Sequence, residues 1–254
     1  MDAPQRFVAW MSAHVANDKK HRRTSYRYHP RSDAHSKRLC ELVLEDLLAA
    51  CPRLAEDEKA RAVVGGTNVS HAFANGQTKT LDLAIGTLAS ELLPHAAPAA
   101  IVSKVIGTLR IAVEAKQCMT EHSKSKPRIF DELSSSHAIV HAGEPNAIAC
   151  GIVVVNIAAR YASPTRQLAT GNLVYINHNQ PQAARVIVEH VRKLQRRSRV
   201  GQVGFDALAT IVIDCDNTGA CLLHTSPPAP EPGEPDHYNT FISDISRAYV
   251  ERFP

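Results

Sequence analysis

The sequence predicts an α/β domain with a mixed central β-sheet flanked by helices. Three observations carry that prediction. Residues 80–86 (TLDLAIG) and 109–116 (LRIAVEAK) alternate apolar and other side chains with the period of two of a half-buried strand. Asn75-Gly76, just ahead of the first of these, is a hairpin signal. Downstream of Lys116, a helical pattern leads into Ile148 to Val155, a nearly continuous apolar run of the kind found in strands covered on both faces. Strand, helix and buried strand make a parallel crossover unit.

Taken in order, residues 4–18 are expected to form a short helix opening at Pro4, with Phe7, Val8, Met11 and Val15 on one side. The following KKHRRTSYRYHPR has no sustained periodicity and reads as a basic loop or arm. From Ser36 to Cys51, Leu39, Val43 and Leu47 recur at helical spacing, Glu41 and Glu45 share another face, and Pro52 is the expected stop. Ala62 to Val64 begin a strand that Gly65-Gly66 is expected to interrupt. Residues 67–74 and 79–85 are expected to pair antiparallel around Asn75-Gly76, which places Asp82 within a meander, projecting away from Leu81, Leu83 and Ile85. Pro94 and Pro98 argue against one continuous helix in LASELLPHAAPAAIVSK, which reads as an excursion between adjacent strands.

In the next strand Leu109, Ile111, Val113 and Ala115 form one face, and Glu114 and Lys116 share the other. Pro127 is expected in the first turn of a helix with a stripe of Ile129, Leu133, Ser136 and Val140 and a stop at Gly143. The crossover then puts the Glu114 strand centrally, beside the strand around Val153. Ser163 to Gly171 reads as a loop, Leu173 to Ile176 as a short strand, and Gln182 to Arg197 as an amphipathic helix with Val186, Ile187, His190, Val191 and Leu194 inward. Phe205 to Cys215 is a buried strand candidate. Thr225 to Pro235 is a proline-rich surface linker, and His237 to Arg252 a closing helix. The whole chain, 1–254, reads as one domain: an N-terminal helix and basic arm (1–35), a core (36–157) and a C-terminal part (158–254).

Composition narrows the classes. With 44% apolar and 21% charged residues the chain is too apolar for general disorder, and 5% aromatic content argues against a base-stacking platform for single strands. The net charge of +4 is a mild bias toward polyanionic partners. Its basic residues cluster in Lys19 to Arg38, Lys116 to Arg128 and Arg192 to Arg199, runs suited to phosphate neutralisation. The six cysteines (40, 51, 118, 150, 215 and 221) lack CxxC and paired zinc-ligand spacing; several sit inside apolar runs, where a free cysteine behaves as a small buried hydrophobe, and free thiols in a reducing cytoplasm are expected. No signal-peptide h-region or membrane-length apolar run is present, so a soluble cytoplasmic protein is expected.

Two carboxylates and an ammonium group brought together by neighbouring strands meet the needs of magnesium-dependent phosphodiester hydrolysis. Asp82 followed by Glu114-Ala115-Lys116 resembles the D…ExK signature of the PD-(D/E)xK nuclease superfamily, which includes many type II restriction endonucleases and various repair and recombination nucleases. The wider run from Thr80 to Ile157, including EAKQCMTEHSKSKPRIFDELSSSH, is similar to bacterial proteins predicted to be restriction endonucleases. Leu81 stands where the motif's name has proline.

The resemblance implies a restriction-endonuclease-like core that cuts double-stranded DNA and leaves 5′-phosphate ends. It implies Mg2+, with Mn2+ as a substitute, held by Asp82, Glu114 and the backbone carbonyl of Ala115. Glu45 of the preceding helix is a candidate further acidic group. Lys116 would orient or help activate the attacking water. His122, Lys124, Lys126 and Arg128 are candidate DNA contacts near the scissile bond, and Ser135 and His137 candidate contacts to base edges or sugars. A homodimer follows by symmetry if the recognition site is palindromic. The alternatives are a structure-specific repair or recombination nuclease and a noncatalytic DNA-binding protein; a Glu114–Lys116 ion pair is the structural alternative for that pair. Other constellations are poorer: His178 in Asn177-His178-Asn179 lacks a second histidine for an HNH site, Asp214 and Asp216 end a strand, Gly65-Gly66 lacks the Walker lysine, and the thirteen histidines show no HExxH spacing.

Overall fold

The computed structural model describes residues 1–15, 26–30, 32–89, 106–167, 173–177 and 180–254. Six strands form the central mixed sheet: β1 (Val64–Ala72), β2 (Thr78–Leu88), β3 (Ile106–Cys118), β4 (Ile148–Asn156), β7 (Ala207–Asp214) and β8 (Leu222–Leu223), in that spatial order. β5 (Arg160–Gln167) and β6 (Leu173–Asn177) make a separate antiparallel ribbon. β1, β2 and β3 are the expected antiparallel meander. Gly76 (φ 81) turns the first hairpin, where Phe73 N–H donates to the Gln77 carbonyl at 2.8 Å. β3 then runs parallel to β4, with Lys116 opposite Val153, after the crossover through α4 (His122–Gly143). β3 is therefore central, as the pattern required.

Two helical layers cover the sheet. On one face, α1 (Ala3–Ala13), α2 (Ala34–Ala50) and α6 (Tyr238–Arg252) contribute Phe7, Leu39, Val43, Leu47, Phe241 and Ile245, packed against Leu83, Ile85, Ile111, Val113, Ala115, Ile152 and Val154. On the other, α4 and α5 (Gln180–Val191) place Ile129, Leu133, Ile187 and Val191 over Val153, Val155 and Leu208. Each fully buried side chain of this size is worth about 1.5–3 kcal/mol. Every residue of β4 is buried, which explains its unbroken apolar run.

Several elements depart from expectation. α1 ends at Ala13 because His14 turns extended, leaving Val15 exposed. Pro52 does end the preceding helix but also opens α3 (Pro52–Lys59), since a first-turn position needs no N–H. β1 runs through Gly65 and Gly66. α4 starts at His122, so Pro127 lies inside it and not in its first turn. Ser163 to Gln167 belong to β5 instead of a loop, and α5 stops at Val191. Cys215 and Cys221 are disulfide-bonded where free thiols were expected; the Asp216 carboxylate, accepting from Thr218 and Gly219 N–H groups, turns the chain back between them. Cys40, Cys51, Cys118 and Cys150 are free and buried.

Strict alternation also fails at two points. Leu81 and Leu83 join different core clusters, and so do Leu109 and Ile111. At the first, Asn68 opposite Asp82 takes a left-handed conformation (φ 54) between the Thr67–Leu83 and Val69–Leu81 pairs. At the second, a register shift follows the Ile85–Ile111 pair. A residue gained or turned at such a point exchanges the faces beyond it. The predicted excursion beyond Ala89, the start of the basic arm (Lys19 to Arg23) and His178 lie outside the described residues. Among the described residues, no helix is long and apolar enough to cross a membrane.

Candidate active site

The β2–β3 ladder runs from Ile85–Ile111 to Leu83–Val113. At the next positions Asp82 lies opposite Glu114, and Asp82 Oδ2 accepts the Ala115 backbone N–H at 2.8 Å. A side-chain carboxylate thus replaces a strand-to-strand hydrogen bond. Beyond this point β3 keeps β4 as its neighbour, with Glu114 opposite Gly151 and Lys116 opposite Val153.

Glu114 and Lys116 face α4. Lys116 Nζ lies 2.6 Å from Glu114 Oε1 and 3.0 Å from Glu132 Oε2. Glu114 Oε2 accepts from the Ser136 hydroxyl at 3.0 Å and is 3.2 Å from Lys79 Nζ. The Glu114 side chain is only 8% exposed, so these partners replace the water that its charge has lost. From the opposite layer, Cys40 of α2 is close enough to both Asp82 and Glu114 for their charges to add to burial in pushing its thiol well above the ordinary range.

The two carboxyls titrate in opposite directions. Burial raises that of Asp82, and the charge of Glu114 adds to the effect, overcoming the Ala115 N–H, Lys116 and Lys79. Burial would raise Glu114 as well, but Lys116 and Lys79 overcome it and hold its carboxyl below the usual value. Lys116 is likewise pulled down by burial and more strongly up by Glu114 and Glu132, so it stays an ammonium.

The residues singled out from sequence are distributed unevenly. Asp82, Glu114, Ala115 and Lys116 converge. Glu45 does not join them: it is exposed on α2, ion-paired to Arg6 and, at 3.7 Å, to Arg38. His122 is buried with Nε2 2.9 Å from the Asn156 carbonyl, and His137 is buried with its ring 4.7 Å from that of Phe205; neither presents itself to a large ligand, contrary to expectation. Lys124 and Arg128 are exposed, Lys126 is half-buried, and Ser135 is exposed with its hydroxyl on the Glu132 carbonyl.

In the Arg192 to Arg199 run, Lys193 and Arg199 are exposed, but two of the arginines are engaged within the protein. Arg192 pairs with Glu234 and Asp236, and the Arg197 side chain is buried against Asp206 at 2.8 Å.

Sequence reasoning missed Lys79 and Glu132. Lys79 stands three positions before Asp82, the wrong parity for a shared strand face, and the exchange of faces between Leu81 and Leu83 lies between the two. Glu132 had a usable signal, since Arg128, Glu132 and Ser136 are spaced four apart on one helix face.

Among the described residues there is no cluster of three or more His, Cys, Asp or Glu side chains able to hold a metal ion. Asp82 and Glu114 supply a two-carboxylate oxygen set. That fits Mg2+, which takes one or two carboxylates and keeps several waters, and does not fit a thiolate- or imidazole-preferring ion. No protein-family model, curated protein or solved structure matches the chain.

Proposed function

We propose that this protein is a magnesium-dependent DNA endonuclease of the PD-(D/E)xK kind, acting as a type II restriction enzyme on double-stranded DNA. The observation that carries the reading is the contact between Asp82 and the Ala115 N–H, which sets one carboxylate beside the Glu114-Ala115-Lys116 segment. An extended residue sends its N–H and C=O to the same side, so the Ala115 carbonyl is directed toward the Asp82 strand as well. Asp82, Glu114 and that carbonyl would hold the ion.

When bound, the ion supplies charge stabilisation at the phosphate and a more acidic water. Lys116, kept protonated by Glu114 and Glu132, donates hydrogen bonds to orient the attacking water and offsets charge growing on the phosphate oxygens. An ammonium so held has no lone pair with which to take the water's proton. Water oxygen attacks phosphorus and gives up a proton to bulk solvent, the bond to the 3′ oxygen breaks, and that oxygen takes up a proton from solvent, leaving a 5′-phosphate and a 3′-hydroxyl. The exposed Lys124 and Arg128 at the start of α4 would meet the DNA backbone. A palindromic site would call for two copies of the chain, and a cytoplasmic location completes the reading.

The test is cleavage of methylated and unmethylated plasmid and phage DNA with Mg2+, with and without chelator, by wild type, Asp82→Ala and Lys116→Ala. Discrete Mg2+-dependent fragments, lost in both variants while DNA binding persists, are expected. Undiminished cutting by Asp82→Ala removes the site assignment, and tight binding without cutting of any DNA replaces the enzyme by a DNA-binding protein. Nicking that follows DNA structure instead of sequence makes it a repair or recombination nuclease.

A further inference from the structure

Resting on that reading, we propose that Lys79 is an internal counter-ion: in the metal-free protein its ammonium holds the charge position on Glu114 that a divalent cation takes over, so metal binding and the departure of Lys79 are one event. Both Glu114 oxygens are engaged, Oε1 by Lys116 at 2.6 Å, Oε2 by Lys79 at 3.2 Å and Ser136 at 3.0 Å. With so little solvent at this carboxylate, its charge needs these cations when no metal is present. A divalent ion at Mg2+–oxygen distance on the same carboxylate meets that ammonium at short range, in surroundings where like charges are weakly screened.

One of the two lysines is placed to yield. Lys116 is held by two carboxylates, Glu114 at 2.6 Å and Glu132 at 3.0 Å, and so stays in place. Among the described residues, Glu114 is the one ion-pair partner of Lys79. Lys79 sits three residues past the Asn75-Gly76 turn, opposite His71, near the hairpin end of β2. Its ammonium rides on a flexible four-carbon stem, and its side chain is already 18% exposed. Swinging outward exchanges one carboxylate contact for water.

The consequence is a measurable competition. Titrating Mn2+ alone into wild type, Lys79→Gln and Lys79→Arg, with no DNA and with folding checked by circular dichroism, should show the glutamine variant binding the ion about tenfold more tightly, a difference of about 1.4 kcal/mol, and the arginine variant close to wild type. Equal or weaker binding by folded Lys79→Gln overturns the proposal. If that variant does not fold, acylation of the wild-type lysines with and without Mn2+ decides: labelling of Lys79 should rise with the ion and fall back with chelator, and unchanged or reduced labelling overturns the proposal. Absence of any Mn2+ binding that depends on Asp82, tested with Asp82→Asn, has a different meaning, because it removes the metal-dependent nuclease reading together with this inference.

Discussion

Asp82 and Ala115 meet where the β2–β3 ladder opens: the carboxylate oxygen takes the backbone N–H at 2.8 Å and is held beside Glu114. Burial and the Glu114 charge raise the Asp82 carboxyl above its ordinary value of 3.8. A carboxyl raised on folding contributes stability that is fully present below its unfolded value and is lost as pH rises through the folded one. At neutral pH an ionised Asp82 is therefore a strain on the metal-free protein.

Asp82→Asn keeps an oxygen for the Ala115 N–H and removes the charge. The variant should melt higher than wild type at pH 7 without metal, by about 2–4 °C if the gain is near 1 kcal/mol. The gain should vanish on acidification below the ordinary carboxylate range and shrink when Mg2+ is added to wild type. Calorimetry across pH checks this; a variant melting lower at pH 7 contradicts the assigned direction.

Glu132 fixes the chemistry of Lys116 from outside the D…ExK signature. It is 3.0 Å from the ammonium, and with Glu114 it outweighs the burial that would lower the lysine. On the proposed nuclease reading, activity that needs the ammonium should be lost as pH rises through the Lys116 value. Glu132→Gln should shift the alkaline limb of the pH–rate profile to lower pH and reduce kcat/KM about tenfold, or about 1.4 kcal/mol of transition-state stabilisation. An unmoved alkaline limb would make Glu132 a surface ion pair only.

Asp206 ties three elements together. It pairs with Arg197 at 2.8 Å, with Arg252 of α6, and with His141 of α4 at 3.5 Å, and it accepts the Ala149 N–H of β4 at 2.8 Å. Burial would raise its carboxyl, but His141, Arg197 and Arg252 hold it far below the usual range. Its contribution is present above the unfolded carboxylate value and lost as pH falls through the folded one. Asp206→Ala should cost about 3–5 kcal/mol at neutral pH, because the buried Arg197 is left without its partner. Urea denaturation measures this, and a loss below 1 kcal/mol would show that the arginines find other partners.

The parts of this fold that were legible in the sequence are those where one local rule dominates. Asn75-Gly76 marked the first hairpin, the apolar run from Ile148 marked a strand buried on both faces, and the crossover between them made β3 central. What stayed hidden depends on events between elements. Nothing local shows that Leu81 and Leu83 enter different core clusters, so Lys79 could not be read as a neighbour of Glu114. Pro127 was read as a helix start because a proline inside a helix forfeits a hydrogen bond, yet the turn before it forms. In the arginine-rich run near residue 196, charge alone looked like a nucleic-acid surface. Pairing with Asp206, Glu234 and Asp236, which come from elsewhere in the chain, was not readable. In the site, the motif spacing picked out four residues that the fold brings together, while the acidic partner of Lys116 is Glu132 on the following helix and not the Glu45 that the pattern offered on the preceding one.

On the proposed reading, the start of α4 separates candidate DNA-backbone contacts from structural residues. Lys124 and Arg128 have side chains 77% and 72% exposed and are paired only loosely, each 3.4 Å from a glutamate on the same helix or at its cap. A lysine or arginine that neutralises one phosphate releases about one counterion, so each contributes about 0.9 to the slope of log K against log salt. Lys124→Ala and Arg128→Ala should each weaken DNA binding to the same degree for every sequence and reduce that slope by about one, measured by fluorescence anisotropy across a salt series with Ca2+ in place of Mg2+. His122, in the same predicted set, should behave differently. Its Nε2 is bonded to the Asn156 carbonyl, and the Asn156 side chain in turn donates to the carbonyls of Met119 and Cys215. His122→Ala should therefore lower the melting temperature and leave the salt slope unchanged. Unaltered slopes in both Lys124→Ala and Arg128→Ala would move the DNA to another face of the protein, whereas a reduced slope in His122→Ala would mean that the helix start rearranges when DNA binds.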